Sequence, residues 1–248
     1  MEETIYNKIR SITDIGYILT LSHRHDRHKH IFNQLYKIGN CTKDNWLNIS
    51  YGTSFPYNDI IINAINTSGK GRFSKPNEFD CARNHYRIIK TAYDLGYNSV
   101  CVMEDDILFY NNKDVFITYL DNIPNDYDIL MFGGFTTDPN IFNVIKSEYY
   151  WYKNTSIGIW NCSMYMLSRT GMDYYIKFMD KFLWVADGPF YKAPENSQLV
   201  NTYISRIPLV IQCDKDIISS DIRNKLNDNI DYKTQNLYES FVNTDDYL

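Results

Sequence analysis

Strand-length apolar runs alternate along this chain with segments whose apolar residues recur at helical spacing, and that alternation restricts the folds open to it. The run Ile15-Gly16-Tyr17-Ile18-Leu19-Thr20-Leu21 is apolar on both faces, as a strand covered on both sides must be. Residues 46–51, 99–103, 127–132, 163–167 and 208–212 read as further strands. Between them the spacing predicts helices. One covers residues 26–37, with Ile31, Leu35 and Ile38 in step and Gly39 as the stop. A longer one runs from Pro76-Asn77 to about Leu95, with Phe79, Ala82, Tyr86, Ile89 and Tyr93 as its buried stripe. Two more fall around 114–120 and over 170–183, the latter with Met172, Ile176, Met179 and Leu183 on one side. Strands alternating with helices predict the α/β class, an open and mostly parallel sheet with helices on both faces. No repeat or linker divides the sequence, so one domain is expected over residues 1–248. Residues 67–75 are rich in Gly and Ser and basic, and read as a mobile surface loop. Beyond about residue 222 the pattern gives way to Asn, Asp, Lys and Tyr, a loosely ordered tail.

Composition narrows the function classes. At 44% hydrophobic and 22% charged the chain has the balance of a globular protein, which removes wholesale disorder. A formal charge of −5 argues against a general nucleic-acid binder, which needs an excess of Lys and Arg. The longest apolar runs are far too short to span a bilayer, so no transmembrane segment is expected. The acidic start Met1-Glu2-Glu3-Thr4 lacks the charged and apolar regions of a secretory signal. Five cysteines (Cys41, Cys81, Cys101, Cys162, Cys213) contain no CxxC pair, which predicts reduced thiols and a cytoplasmic setting.

Three places carry candidate chemistry. The apolar run Val100-Cys101-Val102-Met103 leads directly into Glu104-Asp105-Asp106. In open α/β sheets ligands sit beyond the carboxyl ends of strands. Three adjoining carboxylates there repel one another unless a cation or several donors compensate, and a hard ion such as Mn²⁺ or Mg²⁺ suits their oxygens. Extended geometry would put Glu104 and Asp106 on one side and Asp105 on the other. A solvated turn could use the same residues; the apolar run before them favours a site.

The second place is Ser22-His23-Arg24-His25-Asp26-Arg27-His28-Lys29-His30, where the first strand gives way to a helix. Arg24 and Arg27, three apart, suit an anion such as a diphosphate better than the histidines suit a metal. The third is Asp187, between an apolar helix end and Gly188-Pro189, where it could project into a cleft as a general base. Taken alone, Asp187 is ordinary turn chemistry.

Laid in order, these segments resemble glycosyltransferase family 25, which includes lipopolysaccharide β-galactosyltransferases and collagen galactosyltransferases. Its opening pattern is similar to Gly16–Ser22 followed by Arg24 and Arg27, and its Gly-Glu-x-x-Cys-x-x-Ser-His block to Asn77-Glu78-Phe79-Asp80-Cys81-Ala82-Arg83-Asn84-His85. Its Leu-Glu-Asp-Asp segment is matched by Met103-Glu104-Asp105-Asp106, and a later strand and helix start by Met164–Gly171. Asp187 falls where the family carries Pro-x-Asp, and the closing block is similar to 208–212 with Ser219-Ser220-Asp221-Ile222. The sequence departs from the family pattern at Asn77, Asn84 and Ala186.

The resemblance implies a GT-A fold, a Rossmann-like sheet holding a nucleotide-sugar. It implies an inverting enzyme that moves a hexose, galactose or glucose, from a UDP-sugar donor to a hydroxyl of a glycan or glycoconjugate acceptor. Asp106 would hold Mn²⁺ or Mg²⁺ with help from Glu104. Thr20, Ser22, Arg24, Arg27, Glu104 and Asp105 would line the nucleotide site, and Asp187 would be the catalytic base. His85 would brace the Glu104 loop or touch sugar. A third metal ligand would come from Asp214, Asp216 or Asp221. Two other readings use the same acidic cluster: a metal-dependent nucleotidyltransferase or phosphohydrolase, and an inactive nucleotide-sugar-binding module.

Overall fold

The structure, a computed structural model, describes residues 3–39, 45–53, 59–161, 163–213 and 246–247. Its elements in chain order are α1 (Ile5–Ile12), β1 (Ile15–Leu21), α2 (His25–Lys37), β2 (Leu47–Gly52), α3 (Asp59–Thr67), α4 (Pro76–Asp94), β3 (Ser99–Glu104), β4 (Ile107–Phe109), α5 (Lys113–Asp121), β5 (Ile129–Met131), α6 (Ile141–Ile145), β6 (Trp151–Lys153), β7 (Met164–Ser168), α7 (Arg169–Phe182), α8 (Gly188–Lys192), β8 (Thr202–Ser205) and β9 (Val210–Gln212). The predicted tail and the three candidate third ligands, Asp214, Asp216 and Asp221, lie outside the described residues.

Among the described residues, seven strands form one sheet in the order β2-β1-β3-β7-β5-β8-β6. Strands β2, β1, β3, β5 and β8 run one way; β7 runs against β3 and β5, and β6 against β8. The mostly parallel α/β sheet expected from the sequence is thus observed, with one reversed strand at its centre. The smaller pair β4–β9 is antiparallel and sits outside this sheet.

The period-2 alternation of the strands divides the apolar residues between two cores. Val100, Val102, Ile129, Met131, Tyr165 and Leu167 face one side, where α4, α7 and α8 cover them with Ala82, Ile89, Met172, Tyr175 and Phe190. Cys101, Met103, Leu130, Met164 and Met166 face the other, covered by α1, α2 and α5 through Ile9, Leu35 and Phe116. Helices on both faces are therefore observed as the apolar runs require.

One close approach positions the site. An added Cβ on Gly133, just after β5, would lie 1.9 Å from the Val210 carbonyl oxygen. Only glycine lets β9 lie this near, and the Leu209 and Val210 N–H groups both donate to the Phe132 carbonyl there. Gln212, at the end of β9, owes its place to that contact.

The basic loop differs from its expectation. Asn66 brackets the Phe73 backbone, donating to its carbonyl at 2.6 Å and accepting from its N–H at 3.0 Å. Phe73 is buried, and Arg72 bridges to Trp184. The loop is pinned because an apolar side chain in its middle has a core to enter.

Candidate active site

The parity of β3 decides where its acidic tip points. Val100 and Val102 face α4, so Glu104, two further on, faces α4 as well and meets His85. Asp105 takes the opposite side and meets α2. Extended geometry ends there: residues 105 and 106 form a turn, and β4 then pairs with β9 in a register that sets Ile107 opposite Gln212. Asp106 is thereby carried to Gln212, whose Nε2 donates to its Oδ2 at 2.9 Å.

Asp105 is fully committed. Its Oδ2 accepts from the Thr20 hydroxyl at 2.6 Å and its Oδ1 from Arg27 Nη1 at 2.7 Å. The other arm of the same guanidinium, Nη2, lies 3.2 Å from Asp106 Oδ2. Asp106 is 5% exposed, yet its Oδ1 is buried with no hydrogen-bond partner among the described residues. Burial and the neighbouring Glu104 charge push the Asp106 carboxyl up to about 6, against the pull of Arg27.

His85 is wholly buried between two polar groups. Its Nε2 lies 3.2 Å from Glu104 Oε1 and its Nδ1 2.8 Å from the Tyr165 hydroxyl. With Nε2–H donating to the carboxylate, Nδ1 accepts from Tyr165. Of the two roles open to His85 in the sequence, the geometry is that of a brace. His85→Ala would remove the Nδ1 partner of the Tyr165 hydroxyl and open a cavity in the core, at about 2–4 kcal/mol. A fall in the urea midpoint with an unchanged slope is the expected reading.

Asp187 heads α8, but its side chain does not cap that helix. Its Oδ2 instead accepts from the Asn161 N–H at 2.9 Å. Burial raises the carboxyl to about 6; the Asn161 N–H opposes the rise and the Glu104 charge adds to it. Asn161 adopts a left-handed conformation, φ +73°, which asparagine tolerates better than other residues with a Cβ. Ser163 Oγ donates to its Oδ1 at 3.0 Å, and its Nδ2 lies 3.4 Å from Gln212 Oε1. A polar chain thus runs from Asp187 through Asn161 and Gln212 to Asp106. Neither Asn161 nor Gln212 carries a sequence signal for this role.

The other predicted nucleotide residues stand behind or beside this cluster. Thr20 and Arg27 hold Asp105. Arg24 is buried and forks onto Asp26, with Nε at 3.0 Å and Nη2 at 2.7 Å, holding that carboxyl well below its usual range. Ser22 is exposed in the turn after β1.

Two donor sets could take a cation. Cys81, His85 and Glu104 bring one ligand atom each within 4.8 Å of one another. Burial pushes the Cys81 thiol well above its usual range, however, and both His85 nitrogens are engaged, so this set lacks the thiolate and free imidazole of a soft-metal site. The oxygens of Asp106 and Glu104 fit a hard divalent ion better. The buried Asp106 Oδ1 without a partner is the observation that supports the fit, since a buried charged acceptor is costly until something meets it.

No protein-family profile matches the sequence, and no curated protein matches it. Among solved structures the chain is similar to mouse xyloside xylosyltransferase 1 in its apo form, at 8% identity and a TM-score of 0.41, over 77% of this chain and 84% of that one. It is similar to mannose-1-phosphate geranyltransferase from Thermus thermophilus at 10% identity and 0.42, over 85% and 80%. A third is the mannosyltransferase PcManGT from Pyrobaculum calidifontis in complex with GDP-Man and Mn²⁺, at 10% and 0.38, over 82% of this chain but only 63% of that one. These likenesses are of chain course alone and bear on no residue. Among the described residues no helix is long and apolar enough to cross a membrane.

Proposed function

We propose that this chain is a metal-dependent, inverting GT-A glycosyltransferase of the family 25 kind. It moves a hexose, galactose or glucose, from a UDP-sugar to a hydroxyl of a glycan or glycoconjugate. What carries the reading is that two acidic groups distant in sequence, the Glu104–Asp106 tip and Asp187, meet through the Asn161–Gln212 bridge.

Asp106, through Oδ1, and Glu104 would hold Mn²⁺ or Mg²⁺. Bound there, the ion would neutralise the charge gathering on the departing diphosphate. Asp187 takes the proton of the acceptor hydroxyl as that oxygen bonds to the anomeric carbon. The bond from that carbon to the diphosphate oxygen breaks on the opposite face, which inverts the configuration. Asn161 fixes the base by its N–H, and His85 fixes Glu104. Arg27 and Thr20 hold Asp105 so that the β3 tip keeps its shape.

Thermal denaturation with UDP-, GDP- and CDP-sugars, each with and without Mn²⁺, tests this. A donor at a hundredfold excess over its Kd adds about 2.7 kcal/mol. For a chain of this size that is a rise in Tm of roughly 5–10 °C. The expected result is such a rise with a UDP-hexose and Mn²⁺ together. A rise with nucleoside triphosphates and none with any sugar nucleotide would favour nucleotidyl transfer instead.

A further inference from the structure

The pinned basic loop has no part in the chemistry above, and it ends against aromatic rings that flank the proposed base. Trp160 precedes Asn161, whose N–H holds Asp187; Trp184 lies three residues before Asp187; the Tyr191 N–H donates to the Asp187 carbonyl. The Trp160 and Tyr191 rings stack at 4.0 Å, and the Gly158 backbone lies close against Tyr191, where a Cβ would come within 2.3 Å of the ring. Over Trp160, 5.3 Å from its centroid, stands the Arg72 guanidinium, which is also 6.0 Å from Trp184.

Arg72 is exposed, and among the described residues it has no carboxylate partner. Its neighbour Lys192 does have one, Glu195, at 2.6 Å. A guanidinium over a ring is held by its face, and its in-plane N–H donors stay available for a bidentate anion. The C–H face of a pyranose is apolar and suits aromatic surface, whereas a carboxylate or phosphate suits Arg72.

The geometry points to an acceptor subsite for an anionic saccharide, with its charged substituent on Arg72 and its sugar ring along the part-exposed edges of Trp160 and Trp184, since Tyr191 and Arg72 cover the Trp160 ring and Phe178 stacks on Trp184. Calling it the acceptor side rests on the transferase reading, in which Asp187 is the base. The subsite itself requires only the loop and the rings.

Two of the four tryptophans, Trp46 and Trp151, are buried in the opposite core, so fluorescence changes on ligand binding report mainly on Trp160 and Trp184. Methyl glucuronide, glucose 6-phosphate and methyl glucoside are titrated at constant ionic strength, with inorganic phosphate and acetate as sugar-free anions. One or both charged sugars should bind about five- to tenfold more tightly than methyl glucoside, and the better of the two names the substituent. Arg72→Gln should erase that preference and Arg72→Lys restore part of it, with UDP and Mn²⁺ binding unchanged in both. Equal affinity for charged and neutral sugars overturns the subsite, as does a preference that survives Arg72→Gln. Sugar-free anions binding as tightly as the charged sugars overturn it too. A failure of UDP to bind while the preference stands counts against the transferase reading and leaves the subsite in place.

Discussion

Asp187→Asn is expected to leave donor binding intact while sugar transfer falls by about 10²–10⁴-fold, the range a positioned general base contributes. The substitution is nearly isosteric and keeps an oxygen to accept the Asn161 N–H, so the bridge to Gln212 should survive. What it removes is the proton acceptor. Because Asp187 is raised to about 6, chiefly by burial, it is protonated and idle below that pH and active above it. In the parent protein at saturating Mn²⁺, where a bound ion would keep Asp106 ionised, kcat/KM should therefore climb about tenfold per pH unit toward 6 and level off beyond, and in the variant under the same conditions that limb should vanish. Unchanged turnover, or a pH profile that keeps its acid limb, removes Asp187 from the base role.

Asp106→Asn should act on the other half of the reaction. Losing a partner of a metal ligand commonly weakens metal binding by 10–100-fold, so losing a ligand itself should cost at least about a hundredfold. Calorimetric titration of UDP in the presence of Mn²⁺ should then show no binding at concentrations that saturate the parent. Folding should survive, because asparagine still accepts from Gln212 Nε2 and relieves the repulsion between Asp106 and Glu104. If the variant binds UDP and Mn²⁺ normally, the metal belongs elsewhere, and the Cys81–His85–Glu104 group becomes the place to look.

Much of the frame was legible because burial on both faces leaves a plain mark. The run 15–21 is β1 to the residue, and the stripe from Phe79 to Tyr93 falls on α4, observed from Pro76 to Asp94. The reversal of β7 was not legible, since Met164–Ser168 is equally apolar whichever way it runs. Short elements also escaped: α8 has five residues and β6 three, too few for a period to show. At the site, the side-chain parity of β3 separated Glu104 from Asp105 as expected, but it could not foresee the turn that takes Asp106 to Gln212. Asn161 was hidden for a different reason. Its contact with Asp187, 26 residues away, exists only in the folded chain.

Arg27 spans Asp105 and Asp106 with two arms of one guanidinium, so the chain carries its own counterion for the acidic tip. On the metal-dependent reading, folding and metal loading would for that reason be separable events. The polypeptide reaches its shape with part of this charge offset, and an arriving divalent ion would find a prepared carboxylate instead of having to organise one. Chelators should accordingly silence such a protein without unfolding it, and resupplied ion should restore it at once, with no refolding step between.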